Sequence, residues 1–161
     1  LHTSSGYVLQ GEIERALTLT AYSSAWTRLG ATAQWYGEMG GVVMATRTIL
    51  QQTVGDDIPV QHMLAVGGNK TLRGLPENRY LDLSSGVFNL EFRIPLYKSF
   101  GAVLGADAGS VGKRLTDLLS SRWEVTPVAG LRFAFETFIV RGDVGWSPDA
   151  LGVYFNFGQV F

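Results

Sequence analysis

Residues 87–96 read Val87-Phe88-Asn89-Leu90-Glu91-Phe92-Arg93-Ile94-Pro95-Leu96, and the fold turns on them. Phe88, Leu90, Phe92, Ile94 and Leu96 hold alternate positions, with Asn89, Glu91 and Arg93 between them. Successive side chains of a strand point to opposite faces, so the stretch is a strand with one apolar and one polar face. In a soluble sandwich the apolar face meets a core and the polar face meets water. In a membrane barrel the sense inverts: large apolar groups meet lipid and polar groups line the interior. Alternation alone is compatible with both.

The same rhythm recurs on either side. Residues 7–22 set Leu9, Ile13, Leu17 and Leu19 against Gln10, Glu12, Glu14, Thr18 and Thr20. Residues 25–37 set Leu29, Ala31, Ala33 and Trp35 against Arg28, Thr32, Gln34 and Tyr36. Further candidates are 41–53, 59–66, 100–111, 125–137, 138–147 and 151–161, which makes nine strands in an all-β, antiparallel fold. Bacterial single-chain barrels have even numbers. Either one strand is misread, 59–66 being the shortest, or the chain does not close alone. Arg15 falls among the apolar residues, which calls for a bulge beside it or burial against another chain.

Tight connections are expected at Ser23-Ser24, at Glu38-Met39-Gly40 and at Pro148-Asp149. Two connections are long. Residues 67–82 are polar and glycine-bearing, and 112–122 place Leu115, Leu118 and Leu119 at helical spacing, predicting a short surface helix over 113–121. Short turns alternating with longer loops suit an outer-membrane barrel, and a sandwich can show them too.

Composition narrows the function. The chain has 161 residues, enough for one domain over 1–161, with a net charge of -1 that gives no field for nucleic acid. With no cysteine there is no disulfide scaffold, thiolate zinc site or cysteine nucleophile. The 20 glycines and 12% aromatic residues favour strands over helices. No apolar run reaches the roughly 18 residues of a spanning helix, a test that a membrane barrel also passes. The first residues are not those of a signal peptide. The chain is expected to be a processed mature form or a piece of a longer one, and its opening in mid-pattern favours the piece. His2 and His62 are too few for a metal site. No serine, histidine and acid cluster suggests catalysis, so a non-enzyme without cofactors is expected. Arg141-Gly142-Asp143 spells an adhesion tripeptide, but inside a strand whose alternation turns it inward.

The segment Gly67-Gly68-Asn69-Lys70-Thr71-Leu72-Arg73-Gly74-Leu75-Pro76-Glu77-Asn78-Arg79-Tyr80 resembles the sixth extracellular loop of the BamA/TamA-like outer-membrane assembly factors, the bacterial surface antigen superfamily. There an Arg-Gly pair, here Arg73-Gly74, follows a double glycine, here Gly67-Gly68. The resemblance implies that the loop folds back into the barrel and that its arginine meets acids on the next two strands. Residues 89–96 and 104–111 resemble those strands and offer Glu91 and Asp107, both in the inward phase. Residues 129–133, 139–146 and 152–161 resemble the family's final strands. Val153, Phe155, Phe157 and Phe161, at even spacing in 151–161, resemble the C-terminal targeting strand of outer-membrane proteins, with Gln159 departing from it. The likeness covers 5–161 and corresponds to the C-terminal half of a family barrel.

The resemblance implies a bacterial outer-membrane barrel that takes part in inserting or translocating proteins. Its partners would be membrane lipid, client or partner strands at the terminal strand, and a second copy completing the barrel. The alternatives are the transport barrel of a patatin-like secreted enzyme and a passive porin or structural barrel.

Overall fold

The computed structural model describes residues 4–17 and 24–161. His2, the expected end of the first strand with Leu19 and Thr20, and Ser23 of the expected first turn lie outside the described residues. The described chain is all-β. Its strands are β1 (Gly6–Ala16), β2 (Trp26–Met39), β3 (Val42–Gly55), β4 (Leu64–Val66), β5 (Tyr80–Asp82), β6 (Ser84–Tyr97), β7 (Phe100–Gly112), β8 (Glu124–Ala134), β9 (Ile139–Trp146) and β10 (Leu151–Phe157). Eight of them form one antiparallel sheet in the order β1-β2-β3-β6-β7-β8-β9-β10, and β4 pairs separately with β5.

The nine expected strands thus become eight in the sheet. Residues 59–66 are the exception: a 3-10 turn, Val60–His62, is closed by the His62 and Met63 N–H groups donating to Pro59 and Val60 carbonyls, leaving three residues for β4. Pro59 has no N–H to give a ladder, and the 3-10 turn directly after it takes up the residues a sheet strand would need. Nor does a bulge accompany Arg15. The β1–β2 register is continuous from Gly6–Tyr36 to Ala16–Trp26, and Arg15 stands exposed one residue before the strand ends. At a strand end a long side chain can carry its charge past the apolar band. The expected surface helix is a five-residue 3-10 helix, Leu115–Leu119, in which Leu118 is buried and Leu119 exposed.

Connections sort by end. The β2–β3 turn uses Gly40 and Gly41, both at positive φ (61° and 81°), as a two-residue hairpin of the type I′ kind requires. The β6–β7 turn at Lys98-Ser99 and the β8–β9 turn over 135–138 lie at the same end. Connections 56–83, 113–123 and 147–150 lie at the opposite end.

The two faces of the sheet differ in an unusual sense. On one, Leu29, Trp35, Phe88, Phe92, Leu104, Leu131, Val153 and Phe155 are exposed. On the other, Arg47, Asn89, Glu91, Asp107, Arg132, Arg141 and Asp143 are buried. This second, inner face is covered by residues 67–75, whose Leu72 and Leu75 pack with Val66 and Val87 in a small apolar cluster. The sheet curls around this filling. Flat, the five spacings from β3 to β10 would span about 24 Å. Yet Val160, two residues beyond Gly158 at the end of β10, accepts a hydrogen bond from Arg47 of β3. Two residues reach only about 7 Å.

Candidate functional site

The site is the covered inner face, and the loop of residues 67–75 builds it. Gly67, Gly68 and Gly74 all have positive φ (127°, 87° and 101°), a region glycine enters without a steric penalty. The Gly68 N–H donates to the Leu75 carbonyl, and the Thr71 hydroxyl bonds both the N–H and the carbonyl of Gly67. The loop lies directly against β9. A Cβ on Gly74 would come within 2.6 Å of the Trp146 nitrogen, and one on Gly145 would run into the Arg73 carbonyl group. Two glycines facing one another let the two backbones touch.

This contact presents Arg73 to three strands. Its Nε and Nη2 donate to the two oxygens of Asp107, each at 2.8 Å, and its backbone N–H donates to Asp107 Oδ2 at 3.0 Å. Its Nη1 donates to Glu91 Oε1 at 2.7 Å and to Asp143 Oδ2 at 3.4 Å. Arg73, Glu91 and Asp107 are each fully buried. Burial on its own would lower the proton affinity of Arg73. The hydrogen bonds and charge of Asp107, with Glu91 and Asp143, more than offset that and hold it above the ordinary arginine value. The planar fork matches the Asp107 carboxylate in the bidentate geometry lysine cannot supply.

Other side chains extend the network. Asn89 donates to Asp107 Oδ1 and to the Thr71 carbonyl, both at 2.7 Å, while its own oxygen accepts from Arg47. Arg47 also donates to the Lys70 carbonyl at 2.6 Å. Arg132 pairs with Asp143 and Glu91, Arg141 with Asp143 and with Asn69, and Arg93 with Glu91. The tripeptide Arg141-Gly142-Asp143 therefore turns its charges inward.

No protein-family model matches the chain, and no curated protein matches it.

The expected loop residues Gly67, Gly68, Arg73 and Gly74 come together with Glu91 and Asp107. Asp143 is a third carboxylate that sequence reasoning passed over, although its inward phase in 138–147 was the available signal. Val153, Phe155 and Phe157 stand on the exposed face of β10, two of them about 80% exposed. Phe161 does not join them, which corrects its expected place in the terminal strand. The strand stops at Phe157. Gly158 still donates to the Ile139 carbonyl, but its φ of 82° turns the chain inward. Gln159 then accepts from Arg132 Nε at 3.1 Å, and the Phe161 oxygen accepts from Arg93 at 2.9 Å.

The outer edges of β1 and β10 have no pairing strand among the described residues. β1 is exposed on both faces over nearly its whole length. Such edges present unpaired backbone groups to any strand that approaches.

Proposed function

We propose that the chain is part of a transmembrane β-barrel of the bacterial outer membrane, of the assembly-factor type, and takes part in inserting or translocating other proteins. The observation that carries this reading is the inverted distribution of side chains: charges buried inside the curl, large apolar groups exposed outside. In water that arrangement would leave a broad apolar surface uncovered; against lipid it is the stable one. An aromatic row supports it. Phe100, Phe133, Phe135, Phe138 and Phe157 run ring to ring at 4.5–5.9 Å along the short-turn end, where a membrane interface would place aromatic residues.

The loop contacts favour an assembly factor over an open pore. An eight-stranded barrel has an interior that side chains alone fill. Here the inner face also carries the backbone of residues 67–75 and the tail after Gly158, so closure calls for more strands at the β1 and β10 edges. With eight alternating strands, β1 and β10 run antiparallel, and any even-numbered partner, a second copy included, closes an all-antiparallel ladder. A client strand would use the same unpaired edges.

Purification in detergent, followed by reconstitution into liposomes, tests the reading. The chain is expected to need detergent and to speed the insertion of an unfolded barrel client over empty liposomes. A monodisperse, detergent-free monomer would sink the membrane assignment. Unchanged client insertion with steady ion conductance would favour a passive pore.

A further inference from the structure

On β3, β6 and β7 the apolar outer face ends in a polar corner at the long-loop end, and residues 113–123 fold back over it. The strand register sets Gln52 beside Ser84 and Gly112, and Leu50 beside Gly86 and Ser110, all in the outward phase of Phe88 and Leu104. Gln52 accepts the Leu115 N–H at 2.9 Å and donates to the Lys113 carbonyl at 3.1 Å. Ser110 donates to the Arg122 carbonyl at 3.0 Å. The Trp123 indole donates to the Leu118 carbonyl at 3.0 Å, and its ring lies so close that a Cβ on Gly86 would come within 2.9 Å of it. Ser84 and Ser110 are buried beneath this fold although they point away from the interior.

The next row along the wall is Thr48, Phe88, Ala108 and Val125, in which Phe88 and Val125 are exposed. One row is two residues, or about 7 Å. Residues 113–123 therefore sit at the upper margin of the apolar band. Their free side is amphipathic. Leu119 is 92% exposed, while its neighbour Leu118 is buried. The Arg114 and Arg122 side chains are 80% and 88% exposed, well beyond their acids Asp117 (40%) and Glu124 (31%). The contacts of 3.9 and 3.3 Å are too long for strong charge-assisted bonds. Lys113 is exposed as well, and half-buried Asp82 accepts the Leu83 N–H at 2.8 Å. Cations thus stand outermost, with an exposed leucine among them. That order fits the boundary where lipid phosphates lie over acyl chains.

We propose that residues 113–123 are a docking seat for anionic, phosphate-bearing lipid. Arg114 and Arg122 hold headgroup phosphates, and Leu119 enters the acyl layer beneath. This seat presupposes the membrane reading and adds a fixed lipid contact, one that holds the wall at a set height in the leaflet.

The chain has no cysteine, so Leu119→Cys and, as a wall control, Phe92→Cys can each carry a single nitrobenzoxadiazole dye. The labelled full chains are placed in vesicles of equal parts phosphatidylcholine and phosphatidylglycerol, with a nitroxide on the acyl chain of one lipid or the other. The Leu119 dye is expected to be quenched, and about fivefold more strongly by the labelled phosphatidylglycerol. Arg114→Gln combined with Arg122→Gln should level the two lipids. Should that variant fail to fold, raising the salt around the chain with both arginines intact should level them instead. Quenching of the Phe92 dye with none at Leu119 overturns the seat and leaves the membrane reading standing. Equal quenching at Leu119 by both lipids overturns the phosphate contact. No quenching at either dye overturns the membrane reading, and the seat with it.

Discussion

The β6–β9 side of the sheet and the β1 side carry similar inner faces and meet opposite fates. On β6 and β7, Glu91 and Asp107 are fully buried, each held by Arg73. On β1, Gln10 and Glu12 occupy the same phase and stay exposed, and Glu14 reaches only Arg28 at 3.0 Å. Both stretches alternate equally well. What separates them is the reach of the loop, which among the described residues is tied by hydrogen bonds to β3, β6, β7, β9 and β10 and to neither β1 nor β2. Alternation decides which face a residue occupies. Only a covering element decides whether that face becomes an interior.

Five substitutions press on this contrast. The largest effect is expected from Arg73→Ala, which leaves buried Asp107 without an arginine among the described residues and takes one of their arginines from Glu91 and Asp143; it should lower stability by about 3–5 kcal/mol, read from urea unfolding in micelles. Arg73→Lys should recover part of that loss, because it restores charge without the fork. Phe92→Arg puts a charge on the exposed face and should cost about 2–4 kcal/mol in a bilayer if it sits near the midplane. The same change in a soluble protein would be nearly silent, so a null result there breaks the outside-in arrangement. Gly145→Val drives a side chain into the Arg73 backbone and should cost about 1–3 kcal/mol, with the loop becoming protease-sensitive. Glu12→Ala, on the uncovered side, should change stability by less than about 0.5 kcal/mol. A large loss at Glu12 would mean that something covers β1 in solution, and disulfide trapping across that edge would then identify it.

Much of this was legible in the residues. Period-two patterns located all eight sheet strands, and the phase of 87–96 and 100–111 aimed Glu91 and Asp107 at the same space as Arg73. Three things were not legible. Residues 59–66 have apolar content, but a proline and a turn consume most of their length. The spacing of Phe157, Gln159 and Phe161 continues a strand on paper, and periodicity has no sensitivity to one glycine at positive φ. Asp143 was in the right phase but seventy positions from Arg73, and sheet curvature, which brings β9 beneath the loop, leaves no local mark. The same holds for Arg47 and Arg93, which share the Phe161 ring from far along the chain.

Arg73 is born before everything that satisfies it. During synthesis its carboxylates follow 18, 34 and 70 positions later, and the backbone it rests on, at Gly145, comes later still. Early in folding the guanidinium can remain in water at no cost. It gains a reason to enter only as β6, β7 and then β9 arrive, and each arrival closes a longer loop than the last. The final hairpin, β9 with β10, therefore meets a loop already sorted by β6 and β7: if Asp107 is out of register, Arg73 loses its bidentate seat, and the backbone at Gly74 settles less well on Gly145. A chain built this way carries its own proofreading step, timed to the moment when its last strands are in place.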